Sequence, residues 1–475
     1  MHRRSVTAAV SLVTLLTTPL VLASPAGAAP SAEPARTADF NGDGYADLVL
    51  GAPGGTVGGK AHAGYVSVVY GSSAGLDTAH PQIVSRATPQ VPGDPEEHGN
   101  FGRAQPASAD LDGDGNTDLV VPREGGQPST VLWGSKDGLR EATALSSEAR
   151  DFAAGDFDGD GTMDLVTDAY PDNDNDEAGM TVMYGPFDRG ATPARSDAIA
   201  TSQTFGPLHF IVGDVTGDGA DEIVTSHGFE EMQYKSQLWK GGSGGVSHTS
   251  TGTGHYTVGG VVADVNRDGH GDLVAREVDE VSETMEYDAG AVRVVYGSAN
   301  GLSSRTAKIT QSTPGVPGAS EPGDGDRNYG DQFGYTISAG DVTGDGYPDI
   351  AAGVPGEDLD GVEDAGAAVL LKGGANGLTG TGAQAFNQSS PGVPGASEKD
   401  DAFGTAVSLL DVNANDRADL AAAAPGEDGT YADSGAAWLL RGSRNGLITS
   451  GIASFGPAAL GAPEKNAELG RQIAR

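Results

Sequence analysis

Seven nine-residue stretches of this chain alternate oxygen-bearing side chains with glycine in a spacing that suits a hard cation. The first reads Asp39-Phe40-Asn41-Gly42-Asp43-Gly44-Tyr45-Ala46-Asp47, and the others begin at Asp110, Asp156, Asp214, Asp264, Asp341 and Asp411. Oxygen side chains stand at positions 1, 3, 5 and 9. A Ca²⁺ ion takes roughly six to eight oxygens, and this alternation turns the side chains toward one centre. The candidate ligands are Asp39, Asn41, Asp43 and Asp47; Asp110, Asp112, Asp114 and Asp118; Asp156, Asp158, Asp160 and Asp164; Asp214, Thr216, Asp218 and Glu222; Asp264, Asn266, Asp268 and Asp272; Asp341, Thr343, Asp345 and Asp349; and Asp411, Asn413, Asn415 and Asp419. Position 7 completes the sets with Tyr45, Asn116, Thr162, Ala220, His270, Tyr347 and Arg417. The expectation is up to seven Ca²⁺ ions.

Ligand charge ranks the loops. Those at Asp110 and Asp156 carry four Asp each and should bind most tightly. The loop at Asp411 has two carboxylates, and Asp416 stands where the other loops have Gly at a sharp turn, so it should be the weakest. An EF-hand is excluded, because that loop needs Glu at position 12 and Leu50 stands there in the first copy. The formal charge is −38, and 22 of the 66 acids lie at ligand positions. Such a charge argues against nucleic acid and anionic membrane surfaces as partners.

The elements that position these loops follow from their surroundings. Before a loop there is often an aromatic-Gly pair: Phe101-Gly102, Phe205-Gly206, Phe333-Gly334 and Phe403-Gly404. After it comes an apolar run such as Leu48-Val49-Leu50 or Leu119-Val120-Val121. Each loop is therefore expected at a hairpin tip. A third strand ending in Gly follows in every unit, and a weaker fourth is clearest near Ala383 to Gln388. Copies recur 46 to 77 residues apart, which signals a repeat architecture and not two or three separate domains. With 74 Gly and no convincing long amphipathic helix, the fold class is all-β: a seven-bladed β-propeller of four-stranded antiparallel blades. No strand precedes the first loop, while Leu469 to Arg475 look like such a strand. That C-terminal strand is expected to complete the first blade and close the ring.

At this point the chain resembles the FG-GAP repeat family, the repeat of the integrin α-subunit head. The carrying residues are Phe333-Gly334 with Gly353-Val354-Pro355, Phe403-Gly404 with Ala424-Pro425, and Gly51-Ala52-Pro53. The resemblance covers about residues 36–475 and extends to FG-GAP proteins exported by actinomycete-type bacteria. It implies a seven-bladed propeller with Ca²⁺ in hairpin loops on one face and ligand bound on the other.

Residues 1–28 are expected to be a cleaved signal peptide. His2, Arg3 and Arg4 give a positive start, Val6 to Ala23 is apolar, and Ala26-Gly27-Ala28 suits cleavage after Ala28. Residues 29–475 would then form the propeller outside the cell, carrying −40 once Arg3 and Arg4 are removed. With no Cys there is no disulfide framework, and bound metal is the available stiffener.

Catalysis finds little support in the residues. Gly71-Ser72-Ser73-Ala74-Gly75 matches a nucleophile elbow, yet Gly134-Ser135-Lys136-Asp137-Gly138 and Gly442-Ser443-Arg444-Asn445-Gly446 occupy the same place without a central Ser. A repeated turn explains all three. Acidic segments follow the second strand of several units: Asp172, Asp174, Asp176 and Glu177; Glu230 and Glu231; Asp279, Glu280, Glu283, Glu286 and Asp288; Glu357, Asp358, Asp360, Glu363 and Asp364; Glu427, Asp428 and Asp433. They are either solvated charge or a platform for a basic or cation-bridged ligand. The expected function is a secreted, monomeric Ca²⁺-binding module for an extracellular protein or glycan, with an extracellular esterase or polysaccharide-cleaving enzyme as the alternative.

Overall fold

Short runs of β-branched and aliphatic residues between Gly-rich turns set the architecture. A computed structural model describes residues 38–474, except 146–148, 170–177, 204–205, 230–231, 282–284, 286 and 324–328. The expected leader, Phe205, and the acids at 172–177, 230–231, 283 and 286 therefore lie outside the described residues. Residues 35–475 form one compact unit. Among the described residues, no helix is long and apolar enough to cross a membrane.

The chain folds into seven antiparallel sheets taken in sequence order, a seven-bladed β-propeller. The sixth blade shows the plan. Strand Ile337–Gly340 leads into the loop at Asp341, and Asp349–Val354 returns from it. Ala367–Lys372 and Thr379–Phe386 then complete a simple meander. The loop is the hairpin tip that its flanking residues foretell.

Second strands are buried along their whole length, as in Leu48–Ala52, Asp349–Val354 and Asp419–Ala424. They read as nearly continuous apolar runs because a strand covered on both faces has no solvent side. Alternate residues serve different neighbours: Ile350, Ala352 and Val354 pack toward the fifth blade, whereas Ala351 packs toward the seventh. Fourth strands are largely exposed, as in Arg195–Ala200 and Glu141–Leu145.

Seven apolar clusters fill the seven junctions between neighbouring blades. The first joins Val49, Val66 and Val68 to Leu119 and Leu132. The last joins Ala421 and Leu439 of blade seven to Leu48 and Leu50 of blade one, with Leu469 and Ile473 between them. The ring is thereby closed.

Closure uses the C-terminal segment. Blade one has three strands of its own, Leu48–Ala52, Tyr65–Val69 and Gln82–Val84. Residues 469–474 lie along Leu48–Ala52 as the missing inner strand. Gly51 N–H donates to Gln472 O at 2.9 Å, Gly470 N–H to Gly51 O at 2.9 Å, and Ala474 N–H to Val49 O at 3.2 Å. Leu469-Gly470 here takes the place of a Phe-Gly pair. Phe333 and Phe403 sit beside Gly290 and Gly366 in parallel bridges, and Leu469 N–H reaches Ser434 O at 3.0 Å next to Gly435. Each of these three glycines has positive φ, and a Cβ on it would lie 2.0 to 2.4 Å from backbone atoms of the following pair.

Candidate metal centres

The seven loops share one backbone scaffold, built by the position 1 carboxylate. In the first, Asp39 Oδ1 accepts from Asp43 N–H at 3.1 Å and Oδ2 from Gly44 N–H at 2.8 Å. Asp110, Asp156, Asp214, Asp264, Asp341 and Asp411 accept the same pair from positions 5 and 6 of their own loops. The loop is thus preformed around a carboxylate that draws two N–H groups inward.

Position 9 does more than point at the centre. Asp47 Oδ2 accepts from Phe40 N–H at 2.8 Å, and Oδ1 from Gly71 N–H at 2.8 Å. Asp118, Asp164 and Asp349 repeat both bonds with Gly134, Gly185 and Gly373. The carboxyl ties its own loop to the end of the third strand, which explains the Gly closing that strand. Burial pushes Asp47, Asp118, Asp164, Asp272, Asp349 and Glu222 up to about 7, against the lowering effect of these N–H groups. Glu222, the longer side chain, reaches Val215 and Thr216 N–H at 2.8 and 3.0 Å.

Metal-ligand spacing on carboxylates occurs at Asp110, Asp112 and Asp114, and at Asp156, Asp158 and Asp164. These are the two loops richest in Asp. Asp158 Oδ1 and Asp272 Oδ2 are buried oxygens without a partner, an arrangement that a cation would satisfy. The donor set therefore fits a hard divalent ion at these loops.

Two arginines of the third blade enter this picture without a local sequence signal. Arg189 Nε lies 2.5 Å from Asp112 Oδ2 and its Nη2 2.7 Å from Asp114 Oδ2, with the guanidinium over Trp133. Arg195 Nη2 lies 2.9 Å from Asp158 Oδ2, stacked on Tyr184 at 3.5 Å. Both are tethered cations at position 3 of the most acidic loops.

The seventh loop differs as its composition suggests. Asn413 Nδ2 donates to Asp419 Oδ2 at 2.9 Å, and Arg441 approaches the same oxygen at 3.5 Å. The amide turns its donor side into the centre. Asp416 has φ +62° where the other loops have Gly at +85° to +91°, and Ala414 at position 4 has φ +52°. A non-Gly residue in this region costs about 1–2 kcal/mol.

The remaining singled-out residues are placed as follows. Ser73 is exposed in a turn where Ser72 Oγ donates to Gly75 O at 2.6 Å, and Ser135, Ser298 and Ser443 repeat that bond. The described acids after the second strands are not a uniform platform. Asp288 pairs with Arg276 at 2.8 Å, and Glu357 is buried. Asp358 and Asp428 accept backbone bonds from Asp364 and Asp433.

Fold and loops together define a repeat propeller with acidic hairpin tips. The FG-GAP repeat model matches residues 35–69, 333–371 and 403–440, and the FG-GAP-like repeat model matches residues 100–167. These segments of the chain carry FG-GAP repeats. It is 29% identical over 288 residues to integrin alpha pat-2 of Caenorhabditis briggsae, covering 55% of this chain and 21% of that one. It is 35% identical over 147 residues to phosphatidylinositol-glycan-specific phospholipase D of Bos taurus, covering 27% of this chain and 17% of that one. The matched segments thus span about a fifth of these relatives. Among solved structures, the Photorhabdus luminescens Tc holotoxin pore aligns over 65% of this chain with a TM-score of 0.32 and 15% identity.

Proposed function

We propose that the chain is an exported, Ca²⁺-stabilised propeller that binds an extracellular protein or glycan. The observation that carries this reading is the sevenfold scaffold of hairpin tips, where one carboxylate orders each loop and, in the loops at Asp110 and Asp156, three carboxylates come within metal-ligand spacing. Asp or Asn at positions 1, 3 and 5 would hold the ion, with the position 9 carboxyl behind them. The ion would supply positive charge that offsets clustered carboxylates. FG-GAP repeats shared with an integrin alpha chain support an adhesive role, and Ala26-Gly27-Ala28 after an apolar run supports export. The residues after Ala28 would be free of the cell, as a monomer.

The hydrolase alternative has one point in its favour, the shared segment with a phospholipase D, which spans 17% of that enzyme. A cleft of about 320 Å³ beside Trp438 brings Glu427, Asp428 and Glu464 to its wall but no His or Ser-His pair. Binding is therefore the reading carried forward. The test is a glycan array and a cell-surface protein pull-down with Ca²⁺-loaded and chelator-treated protein. Saturable binding lost on chelation is expected. Ester or glycoside turnover without any saturable ligand would overturn it.

A further inference from the structure

The tyrosines of this chain fall into two kinds. Tyr65 and Tyr184 are buried with their hydroxyls engaged: Tyr65 Oη donates to Pro463 O at 2.8 Å, and Tyr184 Oη accepts from Val246 N–H at 2.8 Å. Tyr329 and Tyr335, in contrast, are 47% and 38% exposed, and Tyr287 is half-buried. An amphipathic ring held in water at a fixed place suits a partner with an apolar face and a polar edge.

These three rings belong to one place, the end of blades five and six remote from the hairpin tips. Tyr335 follows Phe333-Gly334 and precedes strand Ile337–Gly340, whose other end meets the loop at Asp341. Residues 287–289 run beside residues 330–333: Gln332 N–H donates to Asp288 O at 3.2 Å, and Phe333 N–H to Ala289 O at 3.1 Å. A Cβ at Gly330 would lie 2.2 Å from Asp288 O, so this approach needs glycine. It brings the Tyr287 and Tyr329 rings together, 9° from parallel with centroids 6.2 Å apart. Tyr335 joins them through Arg276, whose guanidinium carbon is 5.8 Å from the Tyr335 ring centroid and whose Nη2 is 2.8 Å from Asp288 Oδ1.

Arg276 sets the chemistry of this patch. It is 5% exposed near the end of strand Asp272–Glu277, and its Nη2 also donates to Met285 O at 2.7 Å. Its Nε–H has no acceptor, although buried donors are nearly always paired. An oxygen-bearing ligand at the edge of the Tyr335 ring would offer the acceptor that the fold does not. Lys and Arg side chains of a basic partner are donors only and would meet a like charge. An acidic ligand would meet Asp288 and Asp279, within a chain of formal charge −38. A neutral ligand rich in hydroxyls meets neither obstacle. A sugar ring also presents a face of C–H bonds, weakly positive, that packs on the negative face of an aromatic ring. A protein interface of ordinary size takes about 20–30 residues a side, whereas this patch of five side chains matches a few sugar rings.

We propose that Tyr287, Tyr329 and Tyr335, with Arg276 and Asp288 between them, form a binding site for a neutral saccharide. This rests on the binding reading above and names the ligand class.

The test is affinity electrophoresis of the full chain with Ca²⁺ through gels that each hold one soluble polysaccharide. Dextran, mannan, galactan and mixed-linkage β-glucan are the neutral probes, and hyaluronan is the anionic one. Retardation by at least one neutral probe and none by hyaluronan is expected. Tyr287→Ala/Tyr329→Ala should lower affinity for that probe at least tenfold with circular dichroism unchanged, and Tyr335→Ala at least threefold. Tyr329→Phe keeps the ring face and should stay within twofold. Tyr431→Ala, which removes a 48% exposed ring in blade seven, should change nothing. Neutral-probe binding that survives the Ala variants would overturn this site while leaving the binding module standing. Retardation by hyaluronan alone, or by no probe while the pull-down captures a protein, would overturn the saccharide and leave the module to a protein partner.

Discussion

The ring closure can be broken by one side chain. Leu469 is fully buried and Ile473 is 4% exposed, both within the apolar cluster that joins blades seven and one. Truncating either to Ala removes buried methyl groups and leaves a cavity, a change that costs about 2–5 kcal/mol. A domain of ordinary stability has about 5–15 kcal/mol in total. Leu469→Ala should therefore cut stability by a substantial fraction, and Ile473→Ala by a similar amount. The two sites touch one cluster, so their costs will not simply add. Urea denaturation in excess Ca²⁺ reads this directly, with Trp438 as a buried reporter in blade seven. Deleting residues 469–475 should go further, since the edge of Leu48–Ala52 then lacks its partner and becomes a template for aggregation. A shift below about 0.5 kcal/mol for Leu469→Ala, the range of surface substitutions, would refute the closure.

Three further outcomes follow from the hairpin loops. In chelator, the melting temperature should fall as pH rises from about 4 toward 7, measured by scanning calorimetry. The position 9 carboxyls have folded pKa values raised to about 7, so the stability they contribute is full below the unfolded carboxylate range and lost as pH passes the folded value. Asp112→Ala should lower stability more than Asn413→Ala at limiting Ca²⁺, since it removes a charged ligand where the Asn413 amide turns its donor inward; calorimetric titration of both variants decides the order. Arg189→Gln should raise the Ca²⁺ affinity of its loop about 1.4-fold to fivefold in lanthanide luminescence, because it removes a competing, partly exposed ion pair worth about 0.2–1 kcal/mol.

Much of this fold was legible because its signals are local. The nonapeptide, the apolar run after it and the Gly that ends the third strand lie within about one hairpin of each other, and each states a backbone need. The C-terminal clasp was readable for the same reason: Leu469-Gly470 sits where a Phe-Gly pair would precede a loop. What escaped involves partners distant in sequence. Arg189 stands 75 residues from Asp114, and nothing near either residue announces the pair. The second role of Asp47, holding Gly71 N–H across 24 residues, is likewise a product of packing. The acids after the second strands looked alike as a composition, yet burial separates Glu357 from its exposed neighbours Asp360 and Glu363.

The central claim is that divalent ions hold the hairpin tips in the folded state. An ion that binds only the folded chain stabilises it by about 2.7 kcal/mol per site at a hundredfold excess over its dissociation constant. Thermal unfolding of one preparation in chelator, and again after Ca²⁺ is restored, is the direct measurement. The account predicts a large drop in melting temperature that Ca²⁺ reverses and Mg²⁺ reverses less well, since Mg²⁺ demands tighter octahedral geometry. Superimposable melting curves with and without Ca²⁺ would contradict it.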